Sequence, residues 1–307
     1  MIFATGKLHD EARSILNDFG LVEGQADDAT LAKCVVLLSW PSAVDRGLLS
    51  RMKSLSAIQT ISAGVDDIDF SSLPHGVMVF SNAGAYTEFA SEHAWGLLLA
   101  AAKGVGTRRK VEPYLLKGKT LLVLGCGSIG SEVAKIGKSA FGMRTVGVSR
   151  SFKVPEAFDQ RLPLSSLASV VGDADALVDT LPLNIHTRSI LDYRILSVAK
   201  RRVVIVNVGR AETVDLPSIL RILNERQETR FATDVFWRTG GREDFESEIW
   251  DMPNFTGTLH TAGGFGSEEA LRRAEVAAAE NVRLFLTTGR AENEVDPSDY
   301  VQGFSPH

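Results

Sequence analysis

Cysteine is scarce in this chain of 307 residues, with only Cys34 and Cys126 present. Two thiols cannot build a disulfide framework or a cysteine-based zinc site, and their sparing use fits a reducing compartment. A basic excess is also missing. Lys and Arg number 33 against 38 Asp and Glu, a net charge of −5, which disfavours broad binding to nucleic acid or to anionic membranes, since both reward a basic face. Long apolar runs are absent too. The most hydrophobic stretch, Ala94 to Ala102, falls far short of the roughly 20 residues that span a bilayer. Met1 to Asp10 lacks the apolar centre of a signal peptide, so a cytoplasmic location without membrane partners is expected. No low-complexity block or short repeat interrupts the chain, and no aromatic cluster or basic patch marks a bulky or phosphorylated substrate.

What is present is an ordinary globular composition, 44% apolar and 23% charged, in a length that suits two domains of about 150 residues. Short β-rich runs occur at Ile2 to Thr5, Val35 to Ser39, Ile58 to Ile61 and Val77 to Phe80. They resume at Thr120 to Leu124, Thr145 to Ser149, Ala176 to Leu181, Val203 to Val208, Phe231 to Val235 and Phe255 to Leu259. In this second group they recur roughly every 25 to 30 residues, too far apart for hairpins and right for βαβ units. Val203-Val204-Ile205-Val206 is apolar without alternation, as in a parallel strand covered on both faces. Two long helices are expected, from about Glu88 to Lys103 and from Glu268 to Thr288. Ser267 is a suitable N-cap for the second, with acid in its first turn and Gly289 after it. The stretch Arg290 to His307 is polar and is expected to lie as a tail on the surface.

Between the strand Thr120 to Leu124 and a helical pattern comes Gly125-Cys126-Gly127-Ser128-Ile129-Gly130. In that setting GxGxxG is a dinucleotide-binding loop. Gly125 permits the tight turn, Gly127 admits a pyrophosphate close to the backbone, and Gly130 lets helix and strand approach. The next strand ends at Ser149-Arg150-Ser151, where an NAD site ordinarily carries an acid for the ribose 2′-hydroxyl. Guanidinium and hydroxyls without a carboxylate suit a 2′-phosphate, so NADP(H) is predicted over NAD(H), with NAD still possible.

Six segments in order carry a resemblance. They are Ile61 to Asp69, the glycine loop, Leu181-Pro182-Leu183 with Thr187, Val206-Asn207-Val208-Gly209-Arg210-Ala211, Asp234-Val235-Phe236, and His260 with Ala262-Gly263-Gly264. Over about residues 35 to 289 the chain resembles the D-isomer-specific 2-hydroxyacid dehydrogenases, in their glycerate, glyoxylate or hydroxypyruvate reductase-like branch. Reducing a 2-oxo acid requires that a carboxylate be held, a ketone oxygen polarised and a proton delivered. Arginine suits the first two tasks and histidine the third. The resemblance implies Arg210 as carboxylate and carbonyl binder and His260 as acid/base. It further implies the amides of Ala63, Gly64 and Val65 at the substrate carboxylate and Tyr86 as a substrate contact. Leu181, Pro182, Thr187, Val208, Gly209, Asp234, His260 and Gly263 would line the cofactor, with Asp234 on the nicotinamide carboxamide. A homodimer is also implied.

Two departures stand out. Relatives place a glutamate against the histidine five residues after the aspartate, where this chain has Thr239. Glu243, Glu246 and Glu248 are the nearby acids, but acids in a loop are ordinarily solvated, so no carboxylate partner for His260 is expected. The segment Gly104 to Gly118 is also shorter than the dimer arm of relatives. The missing glutamate leaves open a second reading, a nucleotide-sensing binding protein of the corepressor kind on the same scaffold. The expected fold is α/β, a Rossmann dinucleotide-binding domain (91–271) inserted into a flavodoxin-like substrate domain (1–90 with 272–307).

Overall fold

The structure, a computed structural model, describes residues 1–107 and 110–301. The chain divides into two compact units, Met1–Tyr86 with the return from Gly266, and Thr87–Phe265. The crossings lie at Tyr86/Thr87 and Phe265/Gly266 rather than at the expected 90/91 and 271/272. Both expected boundaries would cut through helices, Thr87–Lys103 and Glu268–Thr288, whose continuous hydrogen bonding keeps each whole within one unit.

In the first unit β1 (Ile2–Ala4), β2 (Leu21–Glu23), β3 (Val36–Ser39), β4 (Ala57–Thr60) and β5 (Met78–Phe80) form a parallel sheet. Its order, β2-β1-β3-β4-β5, is that of the flavodoxin fold. The helix Glu268–Thr288 packs Ala274, Ala278, Ala279 and Val282 against Ile2, Ala4 and Leu16, and small residues let its backbone come close. Ser267 caps it by accepting from the Ala270 amide, and Gly289 ends it at φ 74°.

The second unit holds β6 (Thr120–Cys126), β7 (Arg144–Phe152), β8 (Gln160–Leu162), β9 (Ala176–Asp179), β10 (Val204–Asn207) and β11 (Arg230–Thr233). A two-stranded hairpin follows, β12 (Arg238–Thr239) and β13 (Arg242–Glu243), and then β14 (Phe255–Gly257). Seven of these make a parallel sheet ordered β14-β11-β10-β9-β6-β7-β8, a Rossmann sheet extended at one edge. Its continuous apolar runs serve two cores. Leu121, Val123, Val204 and Val206 face one, while Leu122, Leu124, Val203 and Ile205 face the other.

Three features depart from expectation. β2 and β8 are three-residue edge strands with little apolar pattern, so periodicity did not mark them. The hairpin β12–β13 lies in a stretch with no strand signal. Part of the polar C-terminal stretch is also woven into the fold: Glu294 bridges Phe80 at the open edge of β5, the Val295 amide donates to Val79 O at 2.8 Å, and Tyr300 stacks on Phe70. The rest of that expected tail, 302–307, lies outside the described residues.

Candidate active site

The glycine loop takes the form its spacing requires. Gly125 sits at φ 81°, and a Cβ on Gly130 would collide with the Gly125 carbonyl oxygen. Around Gly127, by contrast, a Cβ would meet nothing within 4 Å. Gly127 precedes the helix Ser128–Phe141 and offers it no side-chain cap, so the amides of its first turn, Ser128, Ile129 and Gly130 among them, have no intrahelical acceptor. Open space in front of uncapped amides at a helix N-terminus fits a pyrophosphate. Ser149, Arg150 and Ser151 lie at the end of β7, the strand next to β6, with Arg150 and Ser151 exposed.

The carboxyl ends of β9 and β10 come next in the sheet. A Cβ on Gly209 would lie 2.5 Å from Leu181 O, so glycine is needed for the two strand ends to meet. Between Leu181 and Thr187 the chain folds on itself. Thr187 Oγ1 donates to Pro182 O at 2.6 Å and accepts from the Asn184 amide at 2.9 Å. Thr187 is buried and its hydroxyl is used within the turn, so it shapes the loop. Asn184 Nδ2 is buried with no partner, an orphaned donor in a loop at the carboxyl edge where α/β sheets bind ligands.

Arg210 stands on the turn after β10. Asn207 closes that turn from both sides, its Nδ2 donating to Arg210 O at 2.9 Å and its Oδ1 accepting from the Gly209 amide at 2.9 Å. Thr213 Oγ1 lies 2.7 Å from the same Arg210 carbonyl and 2.6 Å from Oδ2 of Asp179, which is wholly buried at the end of β9.

His260 is carried by a loop built around Asp234. One oxygen of Asp234 accepts from Thr258 Oγ1 at 2.6 Å and the Thr261 amide at 2.8 Å, and the other from the Ala262 amide at 2.8 Å. His93, on the helix Thr87–Lys103, adds Nε2 2.7 Å from Thr258 Oγ1 and 3.4 Å from Asp234 Oδ1. Burial alone would push the Asp234 carboxyl up, but hydrogen bonds from His93, Thr258, Thr261 and Ala262 outweigh it and hold the group below the usual carboxylate range. Buried and with both oxygens engaged, Asp234 anchors the His260 loop. His260 takes φ 52°, a left-handed setting whose cost is of order 1–3 kcal/mol, and its amide donates to Asp234 O at 2.7 Å.

The expectation that no carboxylate reaches His260 is overturned. Glu243 Oε2 lies 2.5 Å from His260 Nδ1, and Glu243 Oε1 accepts from the Phe236 amide at 2.9 Å. The carboxylate side chain is 18% exposed and the imidazole 42%. The hairpin is the cause. Gly240 and Gly241, at φ 60° and 80°, form its two-residue turn and return the chain so that Glu243 pairs with Arg238. Phe236, stacked on Trp250 and edge-on to Phe245, fixes its base. Thr239 is exposed in the hairpin, as are Glu246 and Glu248 beyond it. No signal in the sequence distinguished Glu243 from the other acids, and none marked His93, Thr213 or Asp179.

Four further expected residues belong to the first unit. Ala63, Gly64 and Val65 form the turn after β4, where Ser62 Oγ donates to Gly64 O at 2.8 Å. Tyr86 braces this turn, its hydroxyl donating to Ile61 O at 3.0 Å. Burial, with Glu275 nearby, pushes its phenol up to about 12, so it is a neutral donor to the protein's own backbone. Asn82 Nδ2 reaches Ile61 O and Ala274 O, both at 2.8 Å. Among the described residues no helix is long and apolar enough to cross a membrane, and no cluster of three or more His, Cys, Asp or Glu could hold a metal ion.

Residues 78–262 match the family model for the NAD binding domain of D-isomer specific 2-hydroxyacid dehydrogenases. The chain is 29% identical to the D-3-phosphoglycerate dehydrogenase of Methanocaldococcus jannaschii, over 98% of its own length and 60% of the relative's. It is 34% identical to the glyoxylate reductase of Aeropyrum pernix, over 63% of each chain. These alignments thus cover less than two thirds of both curated relatives. A solved structure from Pyrobaculum aerophilum, described provisionally as a formate dehydrogenase, superposes with a TM-score of 0.83 at 34% identity, covering 97% of this chain and 99% of that one. The chain belongs to the D-isomer specific 2-hydroxyacid dehydrogenase family.

Proposed function

We propose that this protein reduces a small, unphosphorylated 2-oxo acid such as glyoxylate or hydroxypyruvate to the D-2-hydroxy acid with NADP(H). The observation that carries catalysis is the His260–Glu243 pair. Imidazole Nδ1–H donates to the carboxylate, which fixes ring and tautomer and leaves Nε2 to give its proton to the substrate oxygen. Arg210 binds the substrate carboxylate and polarises the ketone. Bound cofactor supplies the hydride. The Gly125–Gly130 loop and the first turn of its helix hold the pyrophosphate, Leu181, Pro182, Val208, Gly209 and Gly263 line the remainder, and Ser149, Arg150 and Ser151 receive a 2′-phosphate.

The glyoxylate reductase of Aeropyrum pernix supports this substrate reading. The sensor reading rested on a missing carboxylate, and Glu243 removes that support. A steady-state screen of NADPH oxidation with glyoxylate, hydroxypyruvate, pyruvate and 2-oxoisocaproate is the test: turnover on the first two is expected, and NADPH binding without turnover on any would reinstate the sensor. A tenfold preference for NADH in kcat/KM would reverse the cofactor assignment. A homodimer is proposed on Val105 and Leu115, each 64% exposed after the helix Thr87–Lys103, and light scattering that reports a monomer would remove it.

A further inference from the structure

One hydroxyl beneath the Arg210 turn makes two short contacts, and its hydrogen count is informative. Thr213 Oγ1 is 2.6 Å from Asp179 Oδ2 and 2.7 Å from Arg210 O. Each distance is that of a hydrogen bond between oxygens, and each bond needs its own hydrogen. Threonine has one to give and a carbonyl has none. A full hydrogen bond at both distances calls for a second hydrogen, and of these groups the carboxyl of Asp179 is the one able to carry it. The other carboxyl oxygen already accepts from the Leu181 amide at 2.9 Å, so the proton lies on Oδ2.

We propose that Asp179 is a neutral carboxylic acid that positions Arg210 for the 2-oxo acid through a two-bond relay. Asp179 Oδ2–H donates to Thr213 Oγ1, and Thr213 Oγ1–H donates to the Arg210 carbonyl. This rests on the reading of Arg210 as the substrate-binding residue. The surroundings agree. Asp179 is wholly buried on β9, with Leu124 of β6 and Asn207 of β10 as its register partners. The charged groups of the turn above it are Arg210 and Glu212, with Arg238 on the hairpin 3.8 Å from Glu212. Burial, and not any of these charges, pushes the Asp179 carboxyl up to about 7.

The relay has a consequence for pH. Above about 7 the carboxyl ionises, Thr213 must turn its single hydrogen towards the carboxylate, and the Arg210 carbonyl loses a donor. The experiment measures binding of oxamate, an unreactive 2-oxo acid analogue, to the enzyme saturated with NADPH at pH 6 and pH 8.5. Asp179→Asn keeps an acceptor for Leu181 and a permanent N–H donor for Thr213, so it mimics the neutral acid at every pH. It is expected to match the natural protein at pH 6 and to bind oxamate about tenfold tighter than it at pH 8.5, the size of one lost hydrogen bond. Thr213→Val is expected to bind about tenfold more weakly at pH 6, with Thr213→Ser restoring affinity and retained NADPH binding reporting an intact fold. Parallel behaviour of Asp179→Asn and the natural protein across this range would overturn the relay, as would full affinity in Thr213→Val. Arg210→Gln separates the two levels. If it leaves oxamate binding unchanged, the reading of Arg210 fails. If it weakens binding while the other variants do not, only the relay fails.

Discussion

The glycine loop and the His260–Glu243 pair are assembled in opposite ways. The loop is six consecutive residues between a strand and a helix, and two of its glycines answer local demands, a left-handed φ at Gly125 and close approach at Gly130, while Gly127 fronts open space. The pair joins residues 17 apart in sequence through a hairpin, an aromatic cluster and the Asp234 anchor. A local motif tolerates no insertion. A through-space pair does, provided that the chain delivers the same atom to the same place. Here Glu243, nine residues after Asp234, is the carboxylate that reaches His260.

Variants can break this contrast or sharpen it. His260→Gln removes the proposed proton donor and is expected to lower the kcat of reduction by about 10²–10⁴-fold with NADPH affinity nearly unchanged, checked by steady-state kinetics beside fluorescence titration. Gly130→Ala forces a methyl into the Gly125 carbonyl, so NADPH binding should be abolished or weakened a hundredfold or so, with about 1–3 kcal/mol of stability lost. A Gly130→Ala protein that binds normally would show that the loop is less local than it looks.

Glu243→Gln keeps the shape but not the charge, and kcat/KM is expected to fall by about 10–100-fold. Adding Thr239→Glu to that variant should restore nothing, because residue 239 lies in the exposed hairpin and not against His260. Restoration would mean that the hairpin can be bypassed. The smallest effect is expected at Ser267→Ala, which removes a cap from the helix Glu268–Thr288 and should cost about 1 kcal/mol in urea denaturation without altering turnover.

A pH effect on stability also tests the buried acids, with signs that differ between them. Asp234 is held below its ordinary value, so its contribution is present near neutrality and is lost as pH falls through its folded value. Asp179 is raised to about 7, so the native state loses stability as pH climbs from about 4 towards 7. Asp179→Asn should flatten that second slope, and unfolding curves at pH 5 and pH 8 measure it.

Much was readable in advance. The apolar runs that became β6, β9 and β10 could belong only to a covered parallel sheet, and Ser267 and Gly289 bounded their helix within the residue. Short polar edge strands such as Gln160–Leu162 carry no periodic signal, since half their neighbours are solvent. The hydroxyls of Tyr86 and Thr187 donate to Ile61 and Pro182, partners that nothing in the sequence pointed to. Residue type reveals that a hydroxyl needs a partner and not which partner it finds. The same limit hid Asp179, one acid among 38 acidic residues until burial and Thr213 set it apart.

Residue order alone was enough for the βαβ rhythm, the cofactor loop and the presence of Arg210 and His260 just past strand ends. These depend on contacts within a few residues, and local sterics and hydrophobic period fix such contacts. Which carboxylate meets His260, what Asp234 holds, and whether Asp179 carries a proton depend on distances between segments far apart in the chain. Those distances exist only once the sheet has closed and water has left, because the strength of a hydrogen bond or a charge is set by what surrounds it.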